Sequence, residues 1–215
     1  MIELYANITI PNGQIIEINR RNIQSIDTKL TDRGDTKLPS FGIISNAGSL
    51  SYVDSDGTTL ALANANLLQE GSRCDIFLKN TLVPNKIEKV AVLETAQWDY
   101  DSENKIVSVS LQDELVEWQS INVDAINYDP RNAEPKPLSW FYRQLWALTK
   151  TNYDMLSFDE LDGDTRTMLE YTFVRYPLLE KGSLWQQWTK ICEVGLSHIY
   201  KSKSGRIVYK YNGGN

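Results

Sequence analysis

A change of hydrophobic period partway along the chain, across a proline-bearing stretch, constrains its fold more than any other feature. Over residues 2–10 apolar and polar residues alternate, so Leu4, Ala6, Ile8 and Ile10 share one face of a strand. Pro11-Asn12-Gly13 marks a turn with Asn-Gly at the centre of a hairpin, and residues 14–18 return as its second arm. The alternation resumes over residues 23–30, 43–53 (interrupted by Asn46-Ala47-Gly48) and 74–78. Asp32-Arg33-Gly34-Asp35 and Pro39-Ser40 mark an irregular connection. Residues 87–100 and 105–111 read as a long hairpin around Asp101-Ser102-Glu103-Asn104, with Val107, Val109 and Leu111 facing the core. One segment breaks the series. Residues 58–69 place Leu60, Ala61, Ala63, Leu67 and Leu68 near helical spacing, after the Asp54-Ser55-Asp56-Gly57 cluster and before a stop at Gly71. Residues 113–119 are expected to form a short closing helix carrying Leu115, Val116 and Trp118.

Residues 121–137 contain Pro130, Pro135 and Pro137 and cannot be one helix or a central strand. Beyond them the period becomes helical. Residues 138–150 put Phe141, Leu145 and Leu148 on one stripe, with Trp146 beside it. Residues 153–164 are acidic and irregular. Over residues 168–178, Leu169, Tyr171, Phe173 and Arg175 alternate with Met168, Thr172, Val174 and Tyr176, which predicts a strand. Ser183 with Gln186 makes a capping box that starts a helix, and Leu184, Trp188, Ile191, Gly195 and Ile199 continue its apolar stripe. Ser204-Gly205 then turns the chain into a last strand over residues 207–211.

The expected fold class is therefore α+β and β-rich. Residues 1–122 are expected to form a β-barrel-like domain with one inserted helix, residues 123–137 a proline-containing linker, and residues 138–215 a smaller α/β segment. An ending of Asn212-Gly213-Gly214-Asn215 directly after a strand suggests a hinge to further sequence.

Composition narrows the function. The chain has 215 residues, 41% of them hydrophobic, with 6 Trp, 11 Tyr and 5 Phe, which supplies enough apolar surface for a globular core. Apolar runs fall well short of the roughly 18 residues of a membrane span, so no membrane insertion is expected. The net charge is −6, distributed as −7 up to Ser120 and +1 after it, and neither part is basic enough for a specific nucleic-acid partner. Cys74 and Cys192 make neither a disulfide framework nor a zinc site. His198 is the one histidine, which removes multi-histidine metal sites and leaves few general bases.

The carboxylate-rich turns fail the spacing of a calcium-binding loop, which needs glycine at position six and glutamate at twelve. Gly163 at six puts Leu169 at twelve, and Gly57 at six puts Ala63 there. Asp99, Asp101 and Glu103 alternate suitably, but Asn104 and Ser110 fill the two diagnostic positions. These turns read as solvated loops whose side chains bond local backbone. Glu114 and Glu117 beside Trp118 superficially resemble a glycosidase pair, with a solvated helix face as the plainer reading. A Ser or Cys nucleophile would need His198, which is expected near the end of the last helix as a partly buried or capping residue. No Gly-rich phosphate loop, Cys-x-x-Cys or nucleophile elbow is present. The chain is expected to be no enzyme, with no cofactor and no metal. Trp140, Trp146, Trp185 and Trp188 lie on apolar helix stripes and read as core or interface anchors. Trp98, near a hairpin tip, and Trp118, on the closing helix, are the candidates for exposed interface or ligand contacts.

One succession of residues carries a family resemblance. It runs through Ser40-Phe41-Gly42-Ile43-Ile44-Ser45-Asn46-Ala47-Gly48-Ser49-Leu50, then Asn66-Leu67-Leu68-Gln69-Glu70-Gly71 and Ile76-Phe77-Leu78-Lys79-Asn80-Thr81. It ends with Trp98-Asp99-Tyr100-Asp101, Val107 to Leu115, and Glu117-Trp118. This resembles the tail-hub or baseplate-hub proteins of bacteriophages and Gram-positive prophages over residues 22–122, and more loosely over 178–211. The resemblance implies barrel domains arranged as a ring, typically a trimer, that joins the tail tube to the spike or fibres. It also implies the chain itself and other tail proteins as partners, and a place in the virion tail after synthesis in the host cytoplasm. It transfers no site residues. The alternatives are a carbohydrate-binding host-recognition module using exposed Trp98 and Trp118, and a glycan hydrolase resting on unspecific carboxylates.

Overall fold

A computed structural model describes residues 2–29, 42–80, 86–125, 134–174 and 179–213. The chain begins with strands β1 (Ile2–Thr9), β2 (Ile15–Ile18), β3 (Ile23–Lys29), β4 (Gly42–Ile44) and β5 (Ala47–Val53), then helix α1 (Thr58–Asn64). Strands β6 (Arg73–Asn80), β7 (Ile87–Asp101) and β8 (Ile106–Gln112) lead into a 3-10 helix, Glu114–Gln119. The short strands β9 (Asn122–Val123) and β10 (Lys136–Pro137) precede α2 (Leu138–Thr149), a 3-10 turn at Phe158–Glu160 and α3 (Gly163–Tyr171). Last come β11 (Phe173–Val174), β12 (Gly182–Ser183), α4 (Leu184–Val194), β13 (Ser197–Lys201) and β14 (Ile207–Tyr211). Two compact units result: Met1–Asp32 with Asn46–Glu114 and Lys203–Gly205, and Arg33–Ser45 with Leu115–Ser202 and Arg206–Asn215.

The first unit is one antiparallel sheet in the order β2-β1-β6-β7-β8-β5-β3. Its inner face follows the alternation for Ala6, Ile8 and Ile10, then Cys74 and Ile76, then Val107, Val109 and Leu111, all buried in a single cluster, whereas Leu4, expected on the same face, is 37% exposed. Asn12-Gly13 makes the β1–β2 turn, with Gly13 at φ 86. Register shifts at Ile23/Ser25, Ile76/Phe77 and Thr95/Gln97 bend the strands. A flat sheet would hold β2 and β5 about 24 Å apart across five strand spacings. Ile16 of β2 and Tyr52 of β5 instead line one cleft, so the sheet curls. The curl stops short of a closed barrel: among the described residues no ladder joins β2 to β3, and these remain the two edges. Helix α1 is shorter than its apolar spacing predicts, because Asn66 takes a left-handed conformation (φ 55) that ends helical propagation. Leu67 and Leu68 still pack on the core, from the turn instead of the helix.

In the second unit α2, α3 and α4 accompany a three-stranded sheet, β14-β13-β4, whose β13–β4 pair is parallel. Two-residue ladders, β10–β11 and β12–β9, stand at the starts of α2 and α4. Pro137 immediately precedes α2, where its missing N–H removes no helical bond. The buried face of α2 is Leu138, Phe141, Tyr142, Leu145 and Thr149; Leu148 lies outside that stripe and is 51% exposed. Residues 168–171 are helical, contrary to the alternation. Asp162 caps α3 by accepting from the Thr165 amide at 3.0 Å and its hydroxyl at 2.9 Å, and Thr165 and Leu169 then bury one helical turn apart. Among the described residues only Phe173–Val174 forms a strand there; Arg175 and Tyr176 lie outside the described residues. Helix α4 has the predicted Ser183–Gln186 capping box but ends before Gly195, so Ile199 belongs to β13. A Cβ at Gly195 would lie 2.5 Å from the Tyr209 hydroxyl, so this close approach requires glycine. His198 is likewise a buried residue of β13, beside Tyr200.

The outer edge of β14 is covered by the segment after α2. Leu156 donates to the Ile207 carbonyl at 3.0 Å, and the Ile207 amide donates to Asp154 at 2.8 Å. Arg206 clamps the same segment through Asp154 Oδ1 (3.0 Å) and Glu160 Oε1 (2.8 Å). Hydrogen bonds from Arg206 and then from Ser157 hold the Glu160 carboxyl down at about 2, against an ordinary 4.5. A depressed carboxyl pKa stabilises the fold fully above the unfolded value and loses that contribution as pH falls through the folded one. Between pH 4.5 and about 2 the clamp therefore releases. Arg206→Ala is expected to raise the Glu160 pKa by roughly 1 unit or more, read by carboxyl-carbon NMR titration, since an adjacent cation depresses a carboxyl by that order. An unchanged pKa would refute the clamp.

Candidate functional site

Helix α1 is placed by its own N-terminus. Gly57, at φ 72, turns the chain into the helix. Asp54, buried, accepts from the Thr59 amide with one carboxylate oxygen (3.0 Å) and from the Leu60 amide with the other (2.9 Å). These bonds satisfy donors that a helix start leaves open, and the charge strengthens them. Thr59 Oγ1 and the Tyr52 hydroxyl meet at 2.8 Å beneath, both buried. Burial pushes the Tyr52 phenol well above its usual range, so it stays neutral.

A cleft opens on each side of this helix, and Thr59 lines both. The larger, about 420 Å³, lies between β2 with the turn that follows it and the end of β5, with Glu17, Arg21, Asp54 and Asp56 among its lining residues. Its aspartates are engaged, Asp54 as described and Asp56 by the Thr58 amide at 3.0 Å. The smaller, about 250 Å³, is bounded by Trp98, Tyr100 and Val107 of the long hairpin and by Ala63, Asn66 and Leu68 opposite.

Trp98 is half-buried here, and its indole N–H donates to the Gln69 carbonyl at 3.4 Å. Tyr100 shares its strand face, and desolvation, ahead of nearby Asp54 and Asp101, raises its phenol pKa. Trp118 is elsewhere. It is fully buried in the second unit's core, stacked on Trp188 at 6.2 Å with Tyr153 edge-on at 5.8 Å. The expectation that it offers an exposed contact is therefore corrected: Leu115 and Trp118 both insert into apolar packing. Sequence reasoning missed Tyr100 and Asn66 as companions of Trp98. The period-2 spacing of Trp98 and Tyr100 signals the first, whereas nothing local signals Asn66.

Several of the groups that hydrolytic chemistry would draw on are engaged in structure. Asp101 accepts from the Glu103 and Asn104 amides at 3.0 and 3.2 Å, and Glu117 accepts from the Tyr153 hydroxyl at 2.9 Å. Burial pushes the Cys74 thiol up to about 12 and raises Cys192 well above its usual value, so neither is a ready thiolate. Among the described residues no group of three or more His, Cys, Asp and Glu is placed to hold a metal ion, and no helix is long and apolar enough to cross a membrane.

Two substitutions test this assignment of roles. Asp54→Ala removes two charge-assisted bonds to amides and is expected to cost about 1.5–3 kcal/mol of stability, measured by urea unfolding. Trp118→Ala leaves a large core void and is expected to cost about 3–5 kcal/mol. A loss below about 1 kcal/mol would mean that Trp118 is not a core residue.

No protein-family model and no curated protein matches the chain. Solved structures do. A tail protein from Neisseria meningitidis MC58 superposes over 98% of this chain and 52% of its own, with TM-score 0.53 and 11% identity. The 43 kDa tail protein of prophage MuSo2 from Shewanella oneidensis superposes over 99% of this chain and 56% of its own, with TM-score 0.50 and 13% identity. The chain thus spans about half the length of each. At such identity the likeness is one of fold: this chain is folded like tail proteins, one of them from a prophage.

Proposed function

We propose that this chain is a structural, non-enzymatic component of a phage or prophage tail, acting through protein–protein contacts at the tail tip or baseplate hub. The observation that carries the reading is the likeness of fold, which extends over nearly the whole chain to two tail proteins. The resemblance of residues 22–122 to hub proteins supplies the finer placement, between tail tube and spike or fibres. In this reading the curled sheet of the first unit serves as the barrel-like element. Among the described residues its edge strands β2 and β3 each pair on one side only, and a second copy is expected to engage these edges in a ring, a trimer. The protein is made in the host cytoplasm and ends in the virion tail.

The test is made on particles. Tails purified from a strain carrying the gene are expected to contain the protein by mass spectrometry, with antibody label at the tube end. Deleting the gene is expected to leave particles without complete tails. Absence of the protein from purified tails, or intact infectious particles after deletion, would overturn the proposal.

A further inference from the structure

The smaller cleft beside α1 joins an aromatic wall to uncommitted polar groups. Trp98 and Tyr100 stand two residues apart on one face of β7, so their rings line the same side, and Leu68 and Ala63 close the other. The indole N–H is held by Gln69, which anchors the Trp98 ring while leaving the half-exposed side chain in the cleft wall. Among the described residues the Tyr100 hydroxyl and the exposed Asn66 carboxamide make no hydrogen bond to protein. Asp99 lines the rim, but strand alternation turns its side chain away from Trp98 and Tyr100, so it offers backbone groups. The larger cleft lacks this combination, because its aspartates are already bound by helix amides.

The geometry points to a binding site for a single pyranose unit of a glycan. A pyranose has an apolar face of ring C–H groups that stacks on an aromatic ring, with hydroxyls around its edge that need a donor and an acceptor. Trp98 supplies the ring, Tyr100 a hydroxyl of either role, and Asn66 both a donor and an acceptor. The volume, about 250 Å³, lies just under the roughly 300 Å³ at which sites for drug-sized ligands begin, which suits one sugar ring and little more. An apolar peptide side chain would fill the same space without using the hydroxyl or the carboxamide. The site goes beyond a purely structural role in a tail and does not depend on it.

Two-dimensional NMR of the ¹⁵N-labelled chain gives an indole signal for each of the six tryptophans, and Trp98→Phe identifies that of Trp98. The probes are methyl glycosides of glucose, galactose, mannose, rhamnose and N-acetylglucosamine. At least one is expected to shift the Trp98 signal saturably, with Kd on the order of 1 mM for so small a ligand, while the signals of Trp118 and Trp188 stay in place. Trp98→Ala is expected to abolish the shift. Because that variant also loses core packing, Tyr100→Phe and Asn66→Gly are the decisive pair. Each removes one polar group, glycine tolerates the left-handed backbone at 66, and each is expected to weaken binding by about 3–10-fold. No saturable shift with any glycoside at roughly fifty times that Kd would overturn the proposal. So would binding indifferent to both polar variants, or a cleft filled by phenylalanine amide and by no sugar. The tail-component reading is tested on particles and survives or fails separately.

Discussion

The first unit is governed by a shortage of cover for its sheet. Seven strands present one apolar face, and the helix available to shield it, α1, has only seven residues. Leaving that face in water would forfeit the burial of Ala6, Ile8, Cys74, Leu50, Tyr52 and their neighbours, at about 25 cal/mol per Å². The sheet therefore folds over itself, with its three register shifts supplying the bends. The clefts are consistent with the same shortage, since residues of this short helix line both of them. Asp54 matters because it fixes where that helix starts.

The second unit buries its apolar surface differently, around large aromatic rings, four of which direct a polar atom to a bonding partner. Tyr142 donates to Leu156 at 2.7 Å, Trp146 to Met155 at 3.1 Å, Trp188 to Thr149 at 3.0 Å and Tyr209 to Ile191 at 3.3 Å. Buried polar atoms without partners are costly, so these bonds also choose which loops lie over the core. Two of them hold residues 155–156, the segment that Arg206 clamps along β14. The irregular stretch after α2 is thus ordered by core groups, although it has little regular structure of its own.

Both units have reactive groups tied into structure: thiols sealed in apolar cores, aspartates bonded to turn amides, and the histidine inside a sheet. Among the described residues the first unit presents two edge strands and a small aromatic cleft.

The sequence by itself determined the local elements whose cause is local. Alternation placed β8 with its buried face and β1 with the buried Ala6 and Ile8, Asn12-Gly13 placed the first hairpin, and the Ser183–Gln186 capping box started α4, because each depends on residues within a few positions. Tertiary structure decided whatever depends on distant partners. Residues 168–171 alternate like a strand, yet become helical because the Asp162 cap and the burial of Thr165 and Leu169 outweigh that pattern. Trp98 and Trp118 look alike along the chain, but one lines a cleft and the other fills a core. Which of the two an indole meets depends on what the fold brings opposite it: Asn66 and Leu68 across from Trp98, and Trp188, seventy residues along the chain, against Trp118.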